Sequence, residues 1–255
     1  MQHRLSTTRE RRIGGFTLVE LLVALTVIAV LVALMLPAIA RVRSTTFRVI
    51  CSSNVRQIGL GVAMYTDDND GVLPQTIFLD ASDGGDDVLL ETTTLRVGVA
   101  SRFYGLVDST SRSSVGTLPT GVWDGLGLLH SQEYLDSRGI FYCPSHSGMN
   151  RLRDDGDGDA WADASRDVMG NYQYRAEGPD GTNRLWQIEP RESVLVSDSL
   201  RPEDELNHED GANTLRADLA VLWFSDPEQE LLALSRAGHS PKAWRLLDRH
   251  AGGAD

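Results

Sequence analysis

The chain divides by the pattern of its apolar positions. After Phe16-Thr17-Leu18-Val19-Glu20 comes an apolar run, Leu21 to Leu36, interrupted only by Thr26. From Phe16 to Leu36 is 21 residues. As a helix these rise about 32 Å, matching a hydrocarbon core of about 30 Å. Pro37 follows, then Ala38-Ile39-Ala40 and the flanking Arg41 and Arg43. From Arg41 to about Thr66 the pattern changes. Val42, Val49, Val55, Ile58, Val62 and Tyr65 recur mostly at helical spacings, with Arg43, Arg48, Asn54 and Arg56 between them. That predicts an amphipathic stem laying one face on a folded domain. Gly59 and Gly61 each cost near 1 kcal/mol in a helix against alanine, which predicts close packing at that point. Asp67-Asp68-Asn69-Asp70-Gly71 supplies the turn that ends the stem.

The remainder is less regular. Asp80 to Thr120 is rich in Asp, Ser, Thr and Gly, with short apolar runs such as Val97-Gly98-Val99-Ala100, and reads as loops with one or two short strands. Trp123 to His130 opens a short helical pattern, and Ala217 to Phe224 reads as a final strand. Glu228–Leu234 and Ala243–Leu247 read as short helices, with Trp223, Leu231 and Trp244 as packing residues and Gly252 to Asp255 as a frayed tail. The expected class is α+β, a long helix against a small antiparallel sheet with long loops.

Charge sharpens the division. The 255 residues carry a net charge of −12, yet Met1–Gly15 holds Arg4, Arg9, Arg11 and Arg12 against Glu10 alone. Without that segment, 20 basic residues face 35 acidic ones, a net of −15. So acidic a body lacks the basic footprint of a nucleic-acid partner. Glu20 stands out inside the apolar run. A carboxylate costs about 2.5–3.5 kcal/mol at the centre of a membrane helix and less toward its ends, so a cationic partner is expected unless the residue sits at the interface.

The residues Gly14-Gly15-Phe16-Thr17-Leu18-Val19-Glu20-Leu21-Leu22-Val23-Ala24-Leu25 resemble the prepilin signal of type IV pilins and type II secretion pseudopilins. The resemblance implies cleavage by prepilin peptidase between Gly15 and Phe16 and methylation of the new Phe16 amine. It also implies an assembly role for Glu20, paired with that amine on a neighbouring subunit, and a mid-helix proline at Pro37. The expected organisation is a leader at 1–15, a transmembrane and assembly helix at 16–40, a stem at 41–66, a periplasmic pilin-like α+β domain at 67–226 and a helical extension at 227–255. An ordinary secretory signal cut after Ala38-Ile39-Ala40 is the competing reading, although such signals have apolar regions of about 7–15 residues.

A second resemblance is discontinuous. Cys51 to Leu60, Met64-Tyr65, Asp68-Asn69-Asp70-Gly71, Trp123, Leu128-Leu129, Tyr134-Leu135 and Cys143-Pro144-Ser145 resemble a large bacterial set of prepilin-type proteins. That set carries a C-terminal His, nine intervening residues, then Asp-Gly. Here His208 and Asp218 keep the spacing, but Leu219 replaces the glycine, against a tight turn. The resemblance places strands at Asn171–Tyr174 and Val194–Asp198 and assigns the His208–Asp218 pair no role; a hydrogen bond closing a hairpin, metal binding and catalysis all stay open.

Two further features carry chemistry. Cys51 and Cys143 are either a disulfide, as suits an oxidising periplasm, or two buried thiols. Asp155, Asp157, Asp159 and Asp163 fall at the first, third, fifth and ninth positions of a calcium loop, although Ala160 stands where the turn glycine belongs and Arg166 where a bidentate Glu belongs. Calcium is thus the one candidate cofactor, with a solvated acidic loop as the alternative. No G-x-S-x-G, P-loop, H-E-x-x-H or dinucleotide fingerprint occurs, so no enzyme is expected. The expected protein is a single-pass subunit of the bacterial inner membrane that polymerises into a type II secretion pseudopilus or type IV pilus-like filament. Its partners would be prepilin peptidase, other pilin or pseudopilin subunits and the inner-membrane assembly platform. The competing expectations are a minor tip subunit and an anchored periplasmic binding or enzymatic domain.

Overall fold

The computed structural model describes residues 17–76, 93–98, 121–146, 148, 152, 160–198, 207, 208, 210–237 and 240–253. Helix α1 (Leu18–Asp68) runs without interruption through Pro37. Proline has no N–H, so the Ala33 carbonyl one turn earlier lacks its helical donor there. The chain forms two compact units, one reaching Thr45 and one beginning at Thr46.

In the first unit every side chain from Thr17 to Ile39 is exposed, including Leu21 to Leu36. Among the described residues, α1 is the one helix long and apolar enough to cross a membrane. Its few polar side chains in this stretch are satisfied by the helix itself. Thr26 Oγ donates to the Val23 carbonyl at 2.8 Å, and Thr17 and Glu20 bond each other. That local satisfaction matters where no water is present to substitute.

In the second unit the same helix buries a single face. Cys51, Val55, Ile58, Val62 and Tyr65, spaced alternately four and three residues apart, enter the main core. Val42 and Val49, expected on that face, are instead exposed. At about 100° per residue, Val49 lies about 240° around the helix from Val55, so the seam passes through Cys51 and not through Val49. Gly59 supplies the close approach: a Cβ there would stand 2.8 Å from Leu215 Cδ1.

Two antiparallel sheets receive the helix. In one, β1 (Thr94–Val97) is central between β2 (Val122–Trp123) and β3 (Val168–Met169). In the other, β4 (Gln173–Tyr174), β5 (Val194–Ser197), β6 (Gly211–Arg216) and β7 (Val221–Ser225) follow one another in order. The expected helix from Trp123 is shorter, because Trp123 pairs with Arg96 in the first sheet and α2 is confined to Gly127–Ser131. The expected single strand from Ala217 to Phe224 is instead a turn and then β7. Most of the loop region expected at 80–120 lies outside the described residues.

The C-terminal helices α3 (Glu230–Arg236) and α4 (Ser240–Ala251) build a second core. Leu231, Ala243, Trp244, Leu247 and Ala251 pack with Val194, Ala212 and Phe224, while Leu195, Leu215 and Ala217 enter the main core with the stem. The four-stranded sheet is therefore covered on both faces. A half-buried ion pair fastens α4 to it. Asp248 accepts from Arg175 Nη1 at 3.0 Å, from Arg175 Nη2 at 2.9 Å and from the Val194 N–H at 2.8 Å. Arg175 Nη2 also donates to the Val194 carbonyl at 2.8 Å. Removing one member of such a pair strands the other in the interior. Asp248→Ala is therefore expected to lower unfolding free energy by about 3–5 kcal/mol. The apolar double variant Arg175→Met/Asp248→Leu should lose less. Denaturant unfolding of both variants checks the order.

Candidate functional site

The helix terminus comes first. Thr17 stands just before α1, and its hydroxyl accepts the Glu20 N–H at 3.2 Å. The Glu20 carboxylate reaches back to the Thr17 N–H at 2.9 Å and to the Thr17 hydroxyl at 2.7 Å. This reciprocal arrangement is a capping box, which satisfies two amide groups that a helix start leaves without intrahelical partners. The signal for it, a threonine followed three residues later by glutamate, was present in the sequence. The isolated acid of the apolar run thus has a local partner. Pro37 lies inside the exposed helix, whereas Gly15 and Phe16 lie outside the described residues.

The second cluster surrounds the cysteines. Cys51 and Cys143 form a disulfide with Cα atoms 5.3 Å apart, closing 92 positions of chain and joining the stem to the domain. Closing a loop near 100 residues contributes up to about 4.7 kcal/mol in the chain-entropy account. One turn beyond Cys51, Asn54 Nδ2 donates to the Tyr142 carbonyl at 3.1 Å and to the Tyr172 hydroxyl at 3.3 Å. Burial, reinforced by the Asp198 charge, pushes the Tyr172 hydroxyl's pKa upward. The Cys143 N–H donates to Asn171 Oδ1 at 2.9 Å.

His208 is the hub of this cluster. Its Nε2 lies 3.3 Å from Asp198 Oδ2 and 3.7 Å from Cys143 Sγ, and its Nδ1 lies 3.3 Å from Ser145 Oγ. Ser145 donates its one hydroxyl hydrogen to the Asn207 carbonyl, so both ring nitrogens face oxygen acceptors. Asp198 is itself held by the Asn213 N–H and Nδ2, each at 2.7 Å. Antiparallel pairing of β5 with β6 brings these residues together. Asn213 stands opposite Trp223 on β7. The indole meets His208 edge-on at 5.6 Å and carries the Arg48 guanidinium 3.5 Å above its ring.

Asp218 has a different duty from the one its spacing suggested. It accepts from the Ala220 N–H at 3.0 Å and from Arg216 Nε at 3.1 Å, in the turn between β6 and β7. His208 and Asp218 therefore have separate partners. Leu219 does not prevent the tight turn; it adopts a φ of 65° in the left-handed region. The hydrogen bonds to Asp218, together with that from the Leu219 N–H to the Arg216 carbonyl at 2.9 Å, hold it there.

Of the calcium candidates, Asp155, Asp157 and Asp159 lie outside the described residues. Asp163 Oδ1 accepts from Ser165 Oγ at 2.7 Å and from the Ser165 N–H at 2.9 Å, and these bonds hold its carboxyl below the ordinary range. The backbone beside it already surrounds a cation. Buried Arg96 donates to the carbonyls of Ala160, Trp161, Asp163 and Arg166. Nothing in the spacing of the acids points to this arginine, which arrives from β1.

Residues 11–36 match the family model of the prokaryotic N-terminal methylation motif. No curated protein and no solved structure matches the chain. The chain thus joins a prepilin-type signal, and an apolar helix long enough to cross a membrane, to an α+β domain.

The two aspartates separate by stability. Asp198→Ala removes the buried acceptor of His208 Nε2 and of the Asn213 N–H and is expected to cost about 3–5 kcal/mol, whereas Asp218→Ala removes solvent-facing turn bonds worth about 1 kcal/mol. Equal costs in thermal or denaturant unfolding would contradict the assignment of His208 to Asp198. Leu219→Gly is expected to stabilise by about 0.5–1 kcal/mol, because relief of the left-handed strain outweighs the added freedom of the unfolded chain.

Proposed function

We propose that this protein is a structural subunit of a type II secretion pseudopilus or type IV pilus-like filament and performs no catalysis. Prepilin peptidase cuts between Gly15 and Phe16 and methylates the new amine. The helix then leaves lipid for a bundle of like helices, in cooperation with the inner-membrane assembly platform. The observation that carries this reading is the exposure of every side chain from Thr17 to Ile39, in the stretch where the prepilin-type signal is matched. Such a surface requires either lipid or apolar neighbours.

Cleavage changes what Glu20 meets. In the uncut chain the basic leader stays on the cytoplasmic side, and Thr17 caps the carboxylate. After the cut a cationic amine lies one residue before Thr17, and a neighbouring subunit's amine pairs with Glu20 in the bundle. An unpaired charge in an apolar medium is costly, so only registers that pair the two are retained. The mature charge of −15 is consistent with partners other than nucleic acid.

Intact-mass and N-terminal analysis of protein from native membranes should give a chain beginning at N-methylated Phe16. A start at Arg41 would assign the ordinary secretory route. Glu20→Gln separates charge from cap, since glutamine also completes a capping box. This variant is expected to be processed and inserted normally yet to yield no sedimentable filament. Filaments at the unsubstituted level would refute the charge pairing.

A further inference from the structure

The disulfide occupies a place that has the makings of a metal site. Cys51 Sγ, Cys143 Sγ and a ring nitrogen of His208 all lie within 4.8 Å of one another. From His208 Nε2, Cys143 Sγ is 3.7 Å away. Atoms at the corners of a tetrahedron, bonded to a central ion at about 2.0–2.3 Å, stand about 3.3–3.8 Å apart. The His208–Cys143 separation falls in that interval.

The surroundings fit as well. His208 Nδ1 faces Ser145 Oγ, the outer hydrogen bond that fixes a ligating imidazole and leaves Nε2 for the metal. Asn213 orients the Asp198 carboxylate with two bonds. Cys51 and Asp198 are essentially inaccessible, and Cys143 and His208 are buried beside them. Two thiolates with an imidazole suit zinc, which accepts three protein ligands with its fourth position open, whereas calcium and magnesium favour oxygen alone.

We propose that the reduced chain binds one zinc ion through Cys51, Cys143 and His208, so that one position holds a disulfide when oxidised and a metal when reduced. A dithiol supplies the reduction. One of its sulfurs attacks the Cys51–Cys143 bond, and its second sulfur releases the mixed disulfide. Two electrons and two protons thereby pass to the cysteines while the dithiol closes to its own disulfide. Zinc then displaces the two thiol protons into solvent. The sulfurs separate to about 3.7 Å, the corner spacing of a tetrahedral dithiolate. The stem and the domain thus remain tied in either redox state.

The test uses the full chain in detergent, reduced by a water-soluble phosphine that takes oxygen from water as it becomes phosphine oxide. Anaerobic titration with cobalt(II) should give a near-ultraviolet thiolate charge-transfer band and visible tetrahedral bands saturating at one equivalent, all bleached by zinc. The oxidised chain and Cys143→Ser should show none of these bands, and His208→Ala should weaken binding more than about tenfold. Melting guards against metal capture by an unfolded chain: zinc should raise the melting temperature of the reduced protein but not that of reduced His208→Ala. Absence of the bands, cobalt affinity indifferent to His208→Ala, or zinc that fails to raise the melting temperature would each overturn the proposal.

Discussion

One helix has to serve two surroundings, and the rest of the molecule follows from that constraint. A continuous α-helix satisfies its backbone internally, so side chains alone decide which medium each stretch accepts. Up to Ile39 the side chains are apolar and exposed all around; from Cys51 onward one seam is buried against sheets. The few polar groups of the apolar stretch turn back onto the helix: Thr17 and Glu20 close its first turn, and Thr26 bonds Val23. They make no demand on a neighbour before one is available.

The second surrounding has to grip a helix that offers only five core side chains along its seam. Apolar contact is supplemented there by a covalent bond and a polar lattice. Cys51 is bonded to Cys143, Asn54 reaches Tyr142 and Tyr172, and the Arg48 carbonyl accepts from Asn213. Buried polar networks stabilise only when their members are paired, because each unpaired member carries a desolvation cost. His208, Asp198 and Asn213 pair one another beside the disulfide, which makes the stem's seat specific as well as adhesive. The matching histidine of the sequence pattern thus serves the junction of stem and sheet, while Asp218, ten residues later, serves only the hairpin.

What could be read from the chain was what depends on local order. The apolar run, the stem ending near Asp68, the strand at Val194 and the C-terminal helices follow from period, turn residues and length. The partner of His208 did not, because Asp198 reaches it through the β5–β6 register, a non-local property. Val42 and Val49 misled because a helical spacing was counted without following its angle around the axis. Leu219 misled in the opposite direction: a leucine disfavours the left-handed region, but the surrounding turn bonds outweigh that preference. Arg96 gave no signal at all, since its acceptors are backbone carbonyls and any sequence supplies those.

The C-terminal extension bears on assembly more than its position suggests. A four-stranded sheet with the stem on one face would leave Val194, Ala212 and Phe224 in water on the other. Trp244, Leu247 and Leu231 cover them, and the Arg175–Asp248 pair secures the cover. With both sheet faces occupied, the large uncovered apolar surface among the described residues is that of α1: the whole circumference up to Ile39, then the exposed Val42, Val49, Ile50, Leu60 and Met64. In the proposed filament, subunit association then draws its apolar area from the helix. A domain closed on both faces can vary its loops without competing for the same contacts. On the proposed reading, the balance between lipid and bundle is thereby left to the helix and its terminal charge pair, the part of the chain that the proposed cleavage alters.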